Sequence, residues 1–290
     1  MDESDGRRYL VTCLREELYY SFFCHGHPVR ARWGEPQPLS GSPWLGEALS
    51  RANTGHGSWE TGWRIERIKN GEALVTSGQL RARVPVVDCR APMSLHPGTT
   101  VSVRLPKELP ERSPGFYTAV SDAPADLATS EGIVRVYWNI SGSGAAKLVQ
   151  TLTARLNAQR VPFWLKVADH HVRLTRCDAA VLYVRDDTFQ ELGEVLRDAA
   201  DTLTDHLRPQ VPAFTLELAP GVGLAEDVGA AVSFGVRRCA LLAEGIVRAH
   251  SGGLRDTAAR LAQVGARFAE DGVRIDMPYL EPSLAGRHVL

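Results

Sequence analysis

Lys166 and Arg135 are the residues from which chemistry is most readily built in this chain. Residues 133–140 (Ile-Val-Arg-Val-Tyr-Trp-Asn-Ile) place Val134, Val136, Trp138 and Ile140 in one phase and Arg135, Tyr137 and Asn139 in the other. Strand side chains alternate between faces, so those three polar residues share one face. Residues 161–167 repeat the pattern, with Val161, Phe163, Leu165 and Val167 on the apolar side and Trp164 and Lys166 opposite. If both strands join one sheet, its second face presents arginine, tyrosine, asparagine, tryptophan and lysine. Such a face can hold an anion and move a proton.

Lysine is scarce here. Of 33 basic residues only Lys69, Lys107, Lys147 and Lys166 are lysine, leaving 29 arginines. Two readings stand for Lys166. A desolvated lysine can lose its proton and act as a base, which arginine cannot. Alternatively its stem covers apolar surface while the ammonium reaches water.

The other cations extend the idea. Arg104, Lys107 and the pair Arg237-Arg238 fall at strand ends or in the first turn of a helix. Arginine grips phosphate through a planar fork and lysine as a point charge. A helix opening at Ser233 adds free amides. Ordinary pairing with the 34 acids is the competing explanation. His25-Gly26-His27 and His170-His171 lack the spacing of a zinc site. His170 follows the Lys166 strand closely, as an acid or as a solvated loop residue. There is no Walker sequence, and Gly221 and Gly223 lack the rest of a dinucleotide fingerprint.

The elements that must position these residues are legible from periodicity. Leu10, Leu14, Leu18 and Phe22 recur every four residues and predict a helix over 5–24. Ser42-Pro43 opens a second, short helix. Residues 63–77 read as a hairpin closed by Asn70-Gly71. Strands are expected at 80–87, 100–105 and 116–120, and a boundary in the small, polar stretch 121–132. Beyond it come strand 133–140, helix 144–159 capped by Ser143, and strands 161–168 and 178–184. Helix 187–206, capped by Asp186 or Asp187, and strand 213–218 follow. This order is the βαββαβ of ferredoxin-like folds. Residues 219–227 read as a glycine-bearing loop, and helices 233–250 and 256–271 close the chain. The expectation is an α+β protein with two regions. Residues 1–125 form an N-terminal helix and antiparallel β region, packed on a ferredoxin-like half with C-terminal helices at 126–290. The polar face, which Glu217 would extend, would then line a cleft between the two.

Composition bounds the function. The chain has 290 residues, 44% of them apolar and 23% charged, as in globular proteins. A formal net charge of -1 gives no overall attraction to nucleic acid or membrane. Cys13, Cys24, Cys89, Cys177 and Cys239 are widely spaced, which suits a reducing compartment rather than a disulfide framework. No hydrophobic N-terminal segment follows a basic start, and no apolar run approaches membrane-spanning length. The expectation is a soluble cytoplasmic protein.

Ordered strings along nearly the whole chain resemble the HopA-type type III effector family. They are 18–20 (Leu-Tyr-Tyr), 53–57 (Asn-Thr-Gly-His-Gly), 104–109 (Arg-Leu-Pro-Lys-Glu-Leu), 114–117 (Pro-Gly-Phe-Tyr) and 136–139 (Val-Tyr-Trp-Asn). Further along are 162–167 (Pro-Phe-Trp-Leu-Lys-Val), 177–184 (Cys-Asp-Ala-Ala-Val-Leu-Tyr-Val), 223–227 (Gly-Leu-Ala-Glu-Asp) and 233–239 (Ser-Phe-Gly-Val-Arg-Arg-Cys). Members of this family in peptide gene clusters resemble the stand-alone lyases of class V lanthipeptide and thioamitide biosynthesis. The resemblance implies a lyase acting on a phosphorylated precursor peptide after a separate Ser/Thr kinase. Phosphate would leave, giving dehydroalanine or dehydrobutyrine, with no separate cofactor and no metal. It further implies a lysine base, Lys166 or Lys107. Arg104, Arg135 and Arg238 would bind phosphate, and Tyr137 or His25 would donate the proton. Asn139, Asn53 and Trp164 would contact the peptide. The alternative is a catalytically silent module that binds a phosphopeptide, a leader peptide or the kinase. A metal-dependent small-molecule enzyme is a third reading, without ligand spacing to support it.

Overall fold

The computed structural model describes residues 3–25, 42–78, 80–92, 94–109, 113–124, 132–228 and 232–284. Helix α1 (Glu3–Glu17) runs directly into a six-residue π-helix (Leu18–Phe23). The predicted helix is therefore one run with a widened last turn. The Cys24 amide closes that turn by donating to the Tyr19 carbonyl at 2.9 Å, an i to i−5 bond. Helix α2 (Pro43–Ala52) starts where Ser42-Pro43 predicted, although the Ser42 side chain makes no capping bond.

Five antiparallel strands form the first sheet: β1 (Trp59–Lys69), β2 (Glu72–Ser77), β3 (Leu80–Pro85), β4 (Cys89–Arg90) and β5 (Thr100–Arg104), in the order β3-β2-β1-β5-β4. Asn70 and Gly71 close the β1–β2 hairpin with φ of 53° and 79°, the left-handed pair that an Asn-Gly turn supplies. Alternate residues Trp63, Ile65, Ala73, Val75, Val101 and Val103 are buried in its own small core. The hairpin begins at Trp59 rather than 63, and the short strand β4 was not foreseen.

The second sheet has six strands: β6 (Phe116–Val120), β7 (Ile133–Trp138), β8 (Trp164–Ala168), β9 (Ala180–Arg185), β10 (Leu216–Ala219) and β11 (Val222–Asp227), in the order β10-β11-β7-β9-β8-β6. Helices α3 (Ala145–Ala158), α4 (Asp186–Phe189) and α5 (Gly193–Leu203) belong to this half, and α3 and α5 bury apolar faces against the sheet. The βαββαβ order holds with one correction. Residues 219–227, expected as a loop, contain the fully buried strand β11 beside β7, which takes the fourth position. The strand expected at 213–218 begins at Leu216 and lies outside it as β10. Gly223 made the segment read as a loop. A Cβ there would come within 2.6 Å of Thr215 Oγ1, so close packing explains the glycine.

Two caps also differ from expectation. Gly144 rather than Ser143 precedes α3, and Arg185 rather than Asp186 or Asp187 precedes α4. The helix expected over 187–206 breaks into α4, α5 and two 3-10 turns. Helices α6 (Phe234–Ser251) and α7 (Thr257–Glu270) end the described chain much as predicted. On the sheet face opposite α3 and α5, the π-helix and the start of α6 meet. Phe23, Phe234 and Cys239 pack there on Tyr137, Val181 and Ala225. Gly235 allows this approach, since a Cβ would lie 2.4 Å from the Phe23 ring. Among the described residues no helix is long and apolar enough to cross a membrane.

Candidate functional site

The polar face of the second sheet opens into a cleft of about 230 Å³. Strand register builds its floor. Tyr137 pairs with Val181, Val181 with Lys166, and Lys166 with Thr118, so one row crosses four strands. The next row holds Arg135 beside Tyr183. Phe116 of β6 lies at one end. The connection between β8 and β9 supplies Arg173, Arg176 and Asp178, and the π-helix supplies Tyr19, Tyr20 and Phe23.

The charges are ordered by explicit contacts. Arg176 forks onto Asp178, with Nε to Oδ1 at 2.7 Å and Nη2 to Oδ2 at 2.6 Å. The same Nη2 donates to the Tyr19 hydroxyl at 3.1 Å, tying the π-helix to the cleft. Arg135 pairs with buried Asp227 and lies 5.1 Å from the Tyr183 ring. Lys166 Nζ and the Arg173 guanidinium lie 4.0 Å and 4.8 Å from the Phe116 ring centre. Among the described residues, no carboxylate is within ion-pair distance of Arg173, and its buried Nε has no hydrogen-bond partner. Three guanidiniums against Asp178 and Asp227 leave one positive charge before Lys166 is counted.

This environment sets protonation. Burial pushes the Lys166 ammonium down to about 8, with Arg135, Arg173 and Arg176 acting the same way against the pull of Asp178. Burial opposes ionisation of Asp178, but Arg176 overcomes it and holds that carboxyl below its usual range. Burial raises the hydroxyls of Tyr137 and Tyr19, so both stay protonated. The cleft thus combines a lysine that can be neutral near physiological pH, an arginine with no carboxylate partner among the described residues, and protonated phenols. That set can accept a proton, hold a dianion and return a proton.

Of the predicted site residues, Arg135, Tyr137 and Lys166 come together. Trp164 shares their face in the row of Arg135 and Tyr183, half-buried, outside the cleft lining. Asn139 lies beyond the end of β7. Its amide donates to the Gln210 carbonyl at 2.8 Å and accepts from Arg208 Nε at 2.8 Å. Arg238 is buried in α6 and donates to the Pro278 and Leu280 carbonyls. Arg104 pairs with Asp88 on the first sheet. Lys107 donates to the Ser50 and Asn53 carbonyls at 3.1 and 2.8 Å, closing the end of α2. Asn53 is buried there, bonded to the Lys107 carbonyl and the Tyr117 hydroxyl. His25 is exposed with φ of 45° and touches Phe22, and His27 lies outside the described residues. Glu217 is exposed on β10.

A larger cleft, about 430 Å³, opens between α2 and β6. Its charged lining is Glu47, Arg51, Glu108 and Asp169, an acidic set without a base beside a free cation. Chemistry, not volume, selects the smaller cleft. Among the described residues no group of His, Cys, Asp and Glu could hold a metal ion. Sequence reasoning missed Arg173, Arg176 and Tyr183. Arg173 and Arg176, with Asp178, cluster directly after the Lys166 strand, and Tyr183 is in phase with Val181 on β9; both signals were present.

A model of the HopA1 effector protein family matches residues 108–280. Two solved structures share the fold at 96% coverage of this chain. One is the effector protein from Pseudomonas syringae pv. tomato strain DC3000, with 14% identity, TM-score 0.52 and 96% of that chain covered. The other is the effector protein from Pseudomonas syringae pv. syringae strain 61, with 13% identity, TM-score 0.52 and 98% covered. No curated protein matches the chain. The family match spans more than half of the sequence and every strand of the cleft-bearing sheet, and on that ground the chain belongs to the HopA1 effector protein family.

Proposed function

We propose that the protein is a phosphoserine and phosphothreonine lyase acting on a phosphorylated precursor peptide in lanthipeptide or thioamitide biosynthesis. The observation that carries this reading is Lys166, lowered to about 8, beside Arg173, whose guanidinium has no carboxylate partner among the described residues. The neutral Lys166 amine takes the α-proton, and the electron pair of that bond becomes the Cα–Cβ double bond. The Cβ–O bond breaks, and its pair leaves with phosphate. Arg173 and Arg176 hold the departing phosphate. The Arg135 guanidinium, held in the cleft lining by Asp227, supports the carbonyl oxygen as negative charge develops on it. Tyr137 donates the proton to the leaving oxygen and regains one from the Lys166 ammonium as products leave.

Of the roles implied by the resemblance, those of Lys107, Arg104, Arg238, Asn53, Asn139 and His25 have no part in this mechanism, because their side chains are not in the lining of this cleft. The substrate would come from a separate Ser/Thr kinase, with both proteins working in the cytoplasm. Mass spectrometry of a phosphorylated cognate peptide after incubation with the protein tests the reading. Loss of phosphoric acid, absent in Lys166→Ala, is the expected result. Tight binding without any mass change, with and without the kinase, would favour a silent phosphopeptide-binding module instead.

A further inference from the structure

The outer face of the five-stranded sheet holds positive charge that the cleft does not use. Residues 59–105 contain seven Lys and Arg against four Asp and Glu, a balance of +3 in a chain whose formal charge is -1. Register turns this surplus into a pattern. Arg64 faces Thr76, which faces Arg81, and Arg67 faces Leu74, which faces Arg83. Leu74 and Thr76 are two residues apart on β2, so both rows lie on one side of the sheet. On β1 the two arginines are three residues apart. The register shift between Ile65 and Arg67 brings them into phase.

The result is a two-by-two grid of arginines. Its spacing is about 6.7 Å along β3 and roughly 9.5 Å across the sheet. Arg81 is engaged by Glu66. Among the described residues no carboxylate lies within ion-pair distance of Arg64, Arg67 or Arg83, and all three are exposed. Arg67, Lys69 and Arg83 border a depression of about 240 Å³, with Glu72 the single acidic residue in its lining. Strand β3 is also a sheet edge, open to an added strand. Protection of that edge from self-association accounts for charge on β3 itself. It does not account for the matched pair two strands inward.

We propose that this face docks an acidic peptide segment in extended conformation, its alternate side chains meeting the arginine rows. An extended chain repeats on one side every two residues, the same spacing as Arg81 and Arg83. The surface lies apart from the cleft, and the proposal does not rest on the lyase reading.

Fluorescence anisotropy of a labelled, unphosphorylated peptide alternating Glu and Ser tests it with the full chain. Saturable binding is expected, weakened about tenfold in the doubly substituted Arg67→Glu, Arg83→Glu protein, a change of about 1.4 kcal/mol. Lys147→Glu, an exposed charge reversal on α3, should leave binding unchanged, and raised salt should weaken it. Full binding by a folded double variant would overturn the proposal. So would loss of binding in Lys166→Ala, which would put the probe in the cleft. Equal affinity for a peptide of the same composition with its glutamates in one block would overturn the grid. Stronger binding to phosphatidylglycerol vesicles or single-stranded RNA would replace the peptide as partner.

Discussion

At Lys166 the protein keeps positive charge that it neutralises elsewhere. Arg135 and Arg176 each have a buried aspartate, whereas Lys166 and Arg173 share the ring of Phe116. If the proposed elimination is the reaction, Lys166→Ala should lower it by about a thousandfold or more while the protein stays folded, judged by turnover and circular dichroism. In the proposed mechanism the neutral amine is the active form, so kcat/KM should rise with pH through an inflection near 8. A bound phosphate dianion favours the ammonium, so the inflection in kcat should lie higher than that in kcat/KM. A flat profile between pH 6.5 and 9 would remove Lys166 as the base. Arg173→Gln should weaken phosphopeptide binding by roughly 2 kcal/mol, read by calorimetry on an otherwise inactive Lys166→Ala background. The pairing of Arg135, Tyr137 and Lys166 was legible because period-2 alternation fixes which side chains share a face. The Lys107 assignment shows the limit of that logic. A lysine after a strand looked like a phosphate ligand, but the unpaired carbonyls at the end of a helix claim its ammonium.

At the scale of elements, repeating apolar patterns gave α1, α2, the hairpin and most of the second sheet. Elements whose sequence is dictated by close packing were harder to read. Strand β11 carries Gly223 for space beneath Thr215, and a glycine in a short apolar run resembles a loop. The π-helix has no distinct sequence pattern, yet it brings Tyr19 within 3.1 Å of Arg176. Its seat depends on Gly235. An alanine usually stabilises a helix by up to about 1 kcal/mol over glycine. Gly235→Ala should instead destabilise by roughly 1–3 kcal/mol and reduce activity, because the new methyl displaces Phe23. Gly265→Ala in α7, where nothing lies within 4 Å, should stabilise. Urea unfolding of the pair checks both signs; equal shifts would mean that the Phe23 contact does not hold the π-helix in place.

For the whole molecule, the cleft is a site of stored electrostatic cost. Lys166 has a folded-state value near 8 against about 10.5 for an unfolded lysine, so the unfolded chain binds the proton more tightly between those values. Stability should consequently rise with pH across that window, and the penalty is present in full below pH 8. Lys166→Met removes it and should raise Tm at pH 7 by roughly 2–6 °C while abolishing turnover, with the gain shrinking by pH 10. A fall in Tm at pH 7 would show that the amine is stabilised by its neighbours rather than strained by them. The contact between Tyr19 and Asp178 joins residues 159 positions apart. The wall of the cleft is therefore synthesised well before the partners on which it packs. Closing so long a loop is slow, and it contributes little to helix or sheet content. During refolding, circular dichroism should recover before catalytic competence does, and the delay between them times the docking of the π-helix onto a sheet already formed.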